Sequence, residues 1–303
     1  MIYLTGDIHG DPIERFSYKR HSEMRELTKN DYMFILGDCG VPWYNPEIKF
    51  YDYWTRPGAE RVEHYLLSWL NDKPWTTIFI RGNHDNIDLI EEMPWTKFAH
   101  ADVRQMSYQN VVYDKIYYVD TPQYMYLEGQ KILIVPGAES HDADYIFEYD
   151  DPSTKGYIKH LQKQEQKDGI ISYYRINHVS WWEREGVDED KLKALLPHLP
   201  HEIDYIFTHA PCGELRKYWK FPDRPAREYP TPSEQILADL IFPSFKYKLW
   251  VHGHFHHYIE LPHILSLGIY HSVLSLENLE SISKRFSSEN KYHEEKLAAM
   301  KKV

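Results

Sequence analysis

Two stretches near opposite ends of the chain carry metal-ligand residue types at a spacing of two. Asp7 and His9 follow one short apolar run, and His254 and His256 follow another. In extended backbone, residues two apart point to the same side, about 6.6 Å apart. Carboxylates and imidazoles are common ligands of divalent metal ions. The two pairs therefore predict a metal centre assembled from both ends of the chain.

Three more residues of ligand type each stand just after an apolar run, namely Asp38, Asn83 and His209. Any one of them alone would be interpreted as a cap or turn residue. Together with the two pairs they form an ordered set at predicted strand ends, which favours ligands. The set offers oxygen and nitrogen but no thiolate. This mixture suits Mn, Fe, Zn or similar ions without choosing among them.

The elements that must position these residues alternate between strands and helices. Apolar runs predict strands at 2–5, 32–36 and 76–80, and the spacing of apolar residues predicts helices at 13–29 and 59–71. This alternation is typical of an α/β protein with its functional residues on the loops at strand ends.

The rest of the chain is less regular. Residues 115–119, 124–127 and 131–135 are predicted to be adjacent antiparallel strands. Residues from about 138 to 186 show no strong periodicity, a length that indicates a cap, an insertion or disorder. Residues 287–302 predict a charged and exposed C-terminal helix.

Length, composition and charge limit the kinds of protein that this chain can be. The 303 residues, 42% of them hydrophobic, are enough for one domain over 1–303, with the cap or insertion at about 138–186. No apolar run is long enough to span a membrane, and no signal peptide is visible. Two cysteines indicate a reducing, cytoplasmic setting. The net charge of -11 argues against sequence-independent binding of duplex nucleic acid.

The motifs and their order resemble the calcineurin-like metallophosphoesterase family, whose signature is D-x-H, G-D, G-N-H-[DE], H and G-H-x-H. Here the five motifs are Asp7-Ile8-His9, Gly37-Asp38, Gly82-Asn83-His84-Asp85, His209 and Gly253-His254-Phe255-His256. One of these motifs alone would carry little weight. All five, in order over most of the chain, make the resemblance specific.

The resemblance implies a four-layer α/β/β/α sandwich and two divalent metal ions, such as manganese. One ion would be held by Asp7, His9 and His256, the other by Asn83, His209 and His254, with Asp38 bridging them. A hydroxide bound to the metal ions would attack the phosphorus atom. His84 would contact the phosphate and protonate the leaving group, and Asp85 would orient its imidazole.

One departure from the family's protein Ser/Thr phosphatase branch concerns the phosphate-binding arginine. That branch carries G-D-x-x-D-R-G, whereas the corresponding stretch here, residues 37–43, has no arginine. The missing positive charge is assigned as a hypothesis to Arg81, Arg175 or Lys155.

The 138–186 segment is similar to a region of small bacterial and phage members of the family. In these members a G-A-x-S-x-D stretch precedes a W-W-x-x-E stretch, and both occur here, at residues 137–142 and 181–185. Two interpretations stay open: a cap wall that recognises the part of the substrate beyond the phosphate, or an insertion that packs its own aromatic residues.

The function predicted from the sequence is metal-dependent hydrolysis of phosphoesters, in the first place by a phosphatase. Its substrate would be a phosphorylated small molecule, a nucleotide or a phosphoprotein, with no membrane partner. A phosphodiesterase or nuclease and a dinucleoside polyphosphate hydrolase are the enzymatic alternatives, since tryptophans and tyrosines could stack on a base. A non-catalytic, metal-binding interaction module is the alternative outside enzymes.

Overall fold

The computed structural model of the protein describes residues 1–48, 58–141, 143–169, 172–218 and 230–300, with the side chains of 292–300 excepted. Asp142, the last residue of the G-A-x-S-x-D stretch, lies outside the described residues. So do the last residues of the C-terminal helix predicted at 287–302.

Among the described residues, seven strands form the first sheet. They are β1 (Ile2–Thr5), β2 (Tyr32–Ile35), β3 (Thr76–Ile80), β4 (Trp95–Phe98), β5 (Ala101–Tyr108), β6 (Val111–Val119) and β15 (Val273–Ser275). Their order across the sheet is β15-β1-β2-β3-β6-β5-β4, and β1, β2, β3 and β6 run parallel. The three strands predicted at the start of the chain are confirmed.

Six of the described strands form the second sheet. They are β7 (Gln123–Leu127), β8 (Gln130–Val135), β11 (Glu202–Thr208), β12 (Lys246–His252), β13 (Ile259–Leu261) and β14 (Ser266–Gly268). The order is β13-β14-β12-β11-β8-β7, with β8, β11, β12 and β14 parallel. A separate parallel pair is formed by β9 (Tyr145–Glu148) and β10 (Tyr174–Asn177).

The helices are α1 (Pro12–Arg15), α2 (Ala59–Asn71), α3 (Ile87–Glu92), α4 (Thr154–Asp168), α5 (Glu189–Leu195), α6 (Pro232–Leu240) and α7 (Leu276–Met300). Short 3-10 helices lie at Ser22–Glu26, Leu196–His198, Gly213–Lys217 and Pro262–Ile264. Side-chain caps start several of these helices. For example, Thr231 and Glu234 form a capping box at the start of α6.

The two sheets share a hydrophobic core. Phe34 of β2 and Phe207 of β11 contact each other edge to face, with 5.4 Å between ring centroids. On the outer face of the first sheet, Met33 packs in a cluster with side chains of α2 and α3. On the outer face of the second, Ile206 packs in a cluster with side chains of α5 and α6. The α/β fold class is confirmed, and these contacts are those that an α/β/β/α sandwich requires.

Three predictions of elements need correction. The helix predicted at 13–29 is instead the single turn α1 followed by a 3-10 turn, because Phe16 and Met24 reach the core from separate turns. The strands β7 and β8 pair as predicted, but β6 belongs to the other sheet. The C-terminal helix begins at Leu276, and its first half is anchored in the core by Leu279 and Phe286.

The 138–186 segment contains β9, α4 and β10, elements that the sequence did not predict. It contacts α3 through Asp88, which accepts hydrogen bonds from Trp182 and Arg184. Trp182 is fully buried and packs against Trp43, which lies outside the segment. Across the part of the chain that the structure describes, no helix is both long and apolar enough to cross a membrane.

Candidate metal centre

The predicted ligands come together at the carboxyl ends of parallel strands from both sheets. Asp7, Asp38 and Asn83 follow β1, β2 and β3 of the first sheet, and His209 and His254 follow β11 and β12 of the second. Because both sheets present these strand ends on the same side of the shared core, side chains distant in sequence become neighbours.

The first group of donor atoms consists of Asp7, His9, Asp38 and His256, whose candidate ligand atoms all lie within 4.8 Å of one another. Nε2 of His256 lies 3.1 Å from Oδ2 of Asp7 and 2.8 Å from Nε2 of His9. Nε2 of His9 lies 4.0 Å from Oδ2 of Asp38. The two carboxylates are buried, whereas His9 and His256 are partly exposed, so the group is open to solvent on its imidazole side.

The second group consists of Asp38, His209 and His254, and all three side chains are buried. Nε2 of His209 lies 3.1 Å from Oδ1 of Asp38 and 3.2 Å from Nδ1 of His254. Oδ1 of Asn83 lies 3.0 Å from the same nitrogen of His209. Asp38 is therefore common to both groups and stands between them.

The donor set fits divalent cations. His209 donates from Nδ1 to the carbonyl oxygen of Leu36, at 2.7 Å, so its Nε2 is the nitrogen with the lone pair in the neutral ring. That lone pair converges with oxygens of Asp38 and Asn83, all of them acceptors. A cluster of buried lone pairs of this kind needs a proton or a metal cation at its centre.

The pKa shifts of these side chains agree with this interpretation. Burial disfavours the imidazolium form of His209, but the neighbouring Asp38 raises its pKa to about 9. Burial likewise opposes the charged form of Asp38, but His209 and His84 hold its pKa well below the ordinary value. The pKa of His254 is well below normal because of burial, with further lowering by His141 and His209. The neutral imidazole of His254 is therefore available as a ligand, and the raised pKa of His209 shows that its surroundings favour a positive charge.

The backbone carries these donors in a less regular conformation than expected. The extended backbone assumed for residues 254–256 is not observed, because His254 and His256 have φ angles of 73° and 54°. The two side chains consequently belong to different groups. Arg15, for which no sequence signal was found, is buried and donates to the carbonyl oxygens of Gly6 and Asp7. It thereby holds the turn that carries Asp7.

His84 lies beside the two groups without joining them. Its backbone N–H donates to Oδ1 of Asp38 at 2.7 Å, and its ring lies 5.4 Å from that of His9, centroid to centroid. Nη2 of Arg175, from β10, lies 3.2 Å from Nε2 of His84. A positive guanidinium and an imidazole thus stand together at the edge of the candidate metal centre.

The prediction that Asp85 orients the imidazole of His84 is wrong in its geometry. The buried Asp85 carboxylate accepts hydrogen bonds from the backbone N–H groups of Gly40 and Gly82 and from the hydroxyl of Tyr118, at 2.7–2.9 Å. Among the described residues, His84 is not one of its partners. Asp85 instead connects the turns that follow β2 and β3, since Gly40 lies after β2 and Gly82 after β3.

Arg81 is also not placed to bind substrate at this centre. Its guanidinium is buried and donates to carbonyl oxygens of Arg184, Glu185 and Gly186, at 2.7–3.3 Å. It lines a separate cavity, of about 400 Å³, beside the 138–186 segment. The substrate-binding prediction for Arg81 is therefore corrected, whereas Arg175 does reach the centre.

Two residues of the G-A-x-S-x-D stretch contact the donor groups, although the sequence assigned them no role. Ser140 accepts a hydrogen bond from Nδ2 of Asn83, and Nδ1 of His141 lies 3.3 Å from Nε2 of His254. The G-A-x-S-x-D motif was the sequence signal that marked these two residues. It did not indicate which of the metal-ligand residues they would contact.

Comparison with protein families shows to which family the chain that forms this centre belongs. The family model described as calcineurin-like phosphoesterase matches residues 1–258. The chain belongs to this family. Calcineurin-like phosphoesterases hydrolyse phosphoester bonds and typically bind divalent metal ions, so the protein is a phosphoester hydrolase. The match includes the five signature motifs and the 138–186 segment, and it ends before β13.

Comparisons with individual proteins add little to the family assignment. None of the curated proteins matches this calcineurin-like phosphoesterase. A phosphopantetheinyl hydrolase from Mycobacterium tuberculosis aligns over 89% of both chains, at 12% identity and a TM-score of 0.38. A protein of unknown function from Aquifex aeolicus aligns over 62% of this chain and 83% of its own, at 15% identity and a TM-score of 0.23. At these TM-scores neither likeness carries information on function.

Proposed function

We propose that the protein is a phosphatase that acts through a dinuclear metal centre. The observation that carries the proposal is that Asp38 belongs to both donor groups. One ion would be held by Asp7, His9 and His256, the other by Asn83, His209 and His254, with Asp38 between them. When bound, two such ions lower the pKa of water and neutralise the charge of phosphate oxygens. Manganese, iron and zinc all suit these ligands.

The charge of the centre supports an anionic substrate. Two divalent cations against the carboxylates of Asp7 and Asp38 leave a formal excess of two positive charges, from four minus two. Arg175 adds a third positive charge next to His84. A phosphate monoester, which carries close to two negative charges at neutral pH, matches this field more closely than a diester with one.

His84 and Arg175 have complementary roles in this proposal. Arg175 can only donate to Nε2 of His84, so the imidazole would take up the proton for the leaving oxygen once Arg175 binds phosphate instead. Such a proton transfer contributes about 10²- to 10⁴-fold to the rate. Arg175 would bind the non-bridging phosphate oxygens, as guanidinium groups commonly do. Since Arg175 comes from β10, the 138–186 segment would act as a cap that supplies the arginine missing from residues 37–43.

The cellular setting proposed for the phosphatase is the cytoplasm. The cysteines Cys39 and Cys212 are both free and buried, which agrees with a reducing compartment. Burial raises the pKa of the Cys212 thiol to about 12, so this side chain stays protonated.

The test compares p-nitrophenyl phosphate with bis-p-nitrophenyl phosphate. Protein stripped with EDTA and then reloaded with Mn²⁺, Zn²⁺ or Fe²⁺ is assayed as wild type, His84→Ala and His209→Ala. His198→Ala serves as a matched control, because this histidine is exposed and outside the centre. We expect metal-dependent monoester hydrolysis that both site variants lose and the control retains.

Other outcomes would change the assignment in a defined way. A preference for the diester would indicate a phosphodiesterase or nuclease, and turnover of diadenosine polyphosphates alone would indicate a dinucleoside polyphosphate hydrolase. Protein that binds metal but hydrolyses none of these compounds would favour a non-catalytic, metal-binding module. Activity that survives EDTA would contradict the proposal.

A further inference from the structure

Asn83 is a proposed ligand whose side chain can present the wrong atom to a metal ion. Its carboxamide has an oxygen that binds cations and an amino group that does not. The side chain is 1% exposed, with Oδ1 3.0 Å from Nε2 of His209 and Nδ2 donating to Oγ of Ser140 at 3.2 Å. The partner of the amino group therefore determines whether the oxygen faces the metal position.

Glu185 determines which way the hydrogen bond at Ser140 runs. The serine hydroxyl donates to Oε2 of Glu185 at 2.9 Å, and the serine backbone N–H donates to Oε1 of the same carboxylate. A hydroxyl has a single proton, so Oγ of Ser140 can only accept from Asn83 once that proton is given to Glu185. A rotated carboxamide would bring its oxygen against Oγ, acceptor against acceptor.

The backbone holds Glu185 in place independently of its carboxylate. The carbonyl oxygen of Glu185 accepts from the backbone N–H of Ala138 and from the guanidinium of Arg81. Arg81 directly precedes the Gly82-Asn83 turn, and Ala138 lies two residues before Ser140. Both ends of the 138–186 segment are thus joined beside the turn that carries Asn83.

We propose that Ser140 and Glu185 are positioning residues that hold Asn83 with its amide oxygen toward the metal centre. The inference rests on the proposed function, in which Asn83 is a ligand. It gives a role to the two motifs of the segment: the serine of G-A-x-S-x-D receives the amide, and the final glutamate of W-W-x-x-E orients the serine. Partners of metal ligands commonly affect metal affinity by about 10- to 100-fold.

The test measures Mn²⁺ binding by titration calorimetry and by electron paramagnetic resonance, without any substrate. The variants are Ser140→Ala, Glu185→Gln and the double variant, with Glu183→Gln as a matched control, since Glu183 is exposed and two residues away in the same motif. Burial raises the pKa of Glu185 to about 8, so the titrations are run at a pH above that value.

We expect Ser140→Ala to weaken one of the two binding steps by about 10- to 100-fold and to leave the other unchanged. The double variant should be no weaker than the more affected single variant, because both changes interrupt the same path to Asn83. Ser140→Thr, which keeps the hydroxyl, should restore most of the affinity. The melting temperature in EDTA checks that each variant is folded.

Wild-type affinity for both ions in a folded Ser140→Ala variant would overturn the proposal, even if Glu185→Gln failed to fold. Equal weakening of both steps would also overturn it, because a general structural role would produce that result. Wild-type protein that binds no ion would contradict this inference and the metal-dependent function together. Wild-type protein that binds both ions but hydrolyses no ester would count against the function alone.

Discussion

Nη2 of Arg175 lies 3.2 Å from Nε2 of His84, although the two residues are 91 positions apart in the chain. The contact brings a side chain of the 138–186 segment to the edge of the candidate metal centre. Arg175 thus differs from Arg81, whose guanidinium donates to backbone carbonyl oxygens and does not reach the centre.

Replacing Arg175 by alanine should lower kcat/KM for a phosphate monoester by about 10- to 150-fold. This range corresponds to the loss of a hydrogen bond to a charged group, about 1.5–3 kcal/mol. The KM for the monoester and the inhibition constant of inorganic phosphate should both rise, since each depends on binding the phosphate oxygens. Steady-state kinetics with phosphate as a competitive inhibitor measure both.

Lys163→Ala is the control for this experiment, because Lys163 is an exposed cation on α4 of the same segment. It should leave the kinetics unchanged. Equal loss in Lys163→Ala and Arg175→Ala would mean that the net charge of the segment, rather than a contact of Arg175 with phosphate, is responsible.

Replacing Asp85 by alanine should lower the free energy of unfolding by more than about 2 kcal/mol. The change leaves the buried N–H groups of Gly40 and Gly82 and the hydroxyl of Tyr118 without their acceptor. Urea denaturation with and without metal measures the loss. If Asp85 oriented His84 instead, the pH dependence of kcat would shift while stability remained unchanged.

Glu63 should make stability fall as pH rises toward neutrality. Burial raises its pKa to about 7, against the opposing hydrogen bonds from the backbone of Trp43 and Tyr44. Because the folded protein binds the proton more tightly than the unfolded chain, this stabilisation is complete below the unfolded pKa of about 4.5. It is lost as pH rises through the folded value. The difference amounts to about 3 kcal/mol between these limits.

The Glu63→Gln variant should remove this part of the pH dependence while its amide oxygen still accepts from both backbone groups. Relative to wild type it should therefore gain stability from pH 5 to pH 8. Chemical denaturation across this range tests the sign, with Glu165→Gln, an exposed site on α4, as control. A stability difference between wild type and Glu63→Gln that stays constant with pH would contradict the prediction.

Replacing Gly37 by alanine should disrupt the second donor group. A Cβ at this position would overlap Nδ1 of His209, and the φ of +95° is one that alanine rarely adopts. We expect weaker metal binding and a lower melting temperature. Gly129→Ala controls for backbone strain, because Gly129 also has a positive φ, of +75°, but no described atom beyond its neighbours lies within 4 Å of the added Cβ. Comparable loss of metal binding in both variants would assign the effect to strain alone.

Much of the fold could be predicted because the apolar runs of β1, β2, β3, β11 and β12 are short and end in polar motifs. Such runs bury both faces of a parallel strand, and their carboxyl ends collect at one edge. The helix at 59–71 was predicted with its observed bounds, since its apolar residues recur at helical spacing, although Val62 and Tyr65 are exposed. The prediction of a helix at 13–29 was wrong, because the apolar residues with helical spacing lie on two separate turns.

The sequence by itself determined which residues of ligand type stand at strand ends and in what order, because strand periodicity and turn-forming glycines are local properties. Tertiary structure alone decided that Asp85 holds two turns together and that Arg175 reaches His84. The same holds for the path from Asn83 through Ser140 to Glu185, residues 57 and 45 positions apart. The contacts of Arg175, Ser140 and Glu185 depend on how the 138–186 segment packs against the strand ends, and no local pattern encodes that packing.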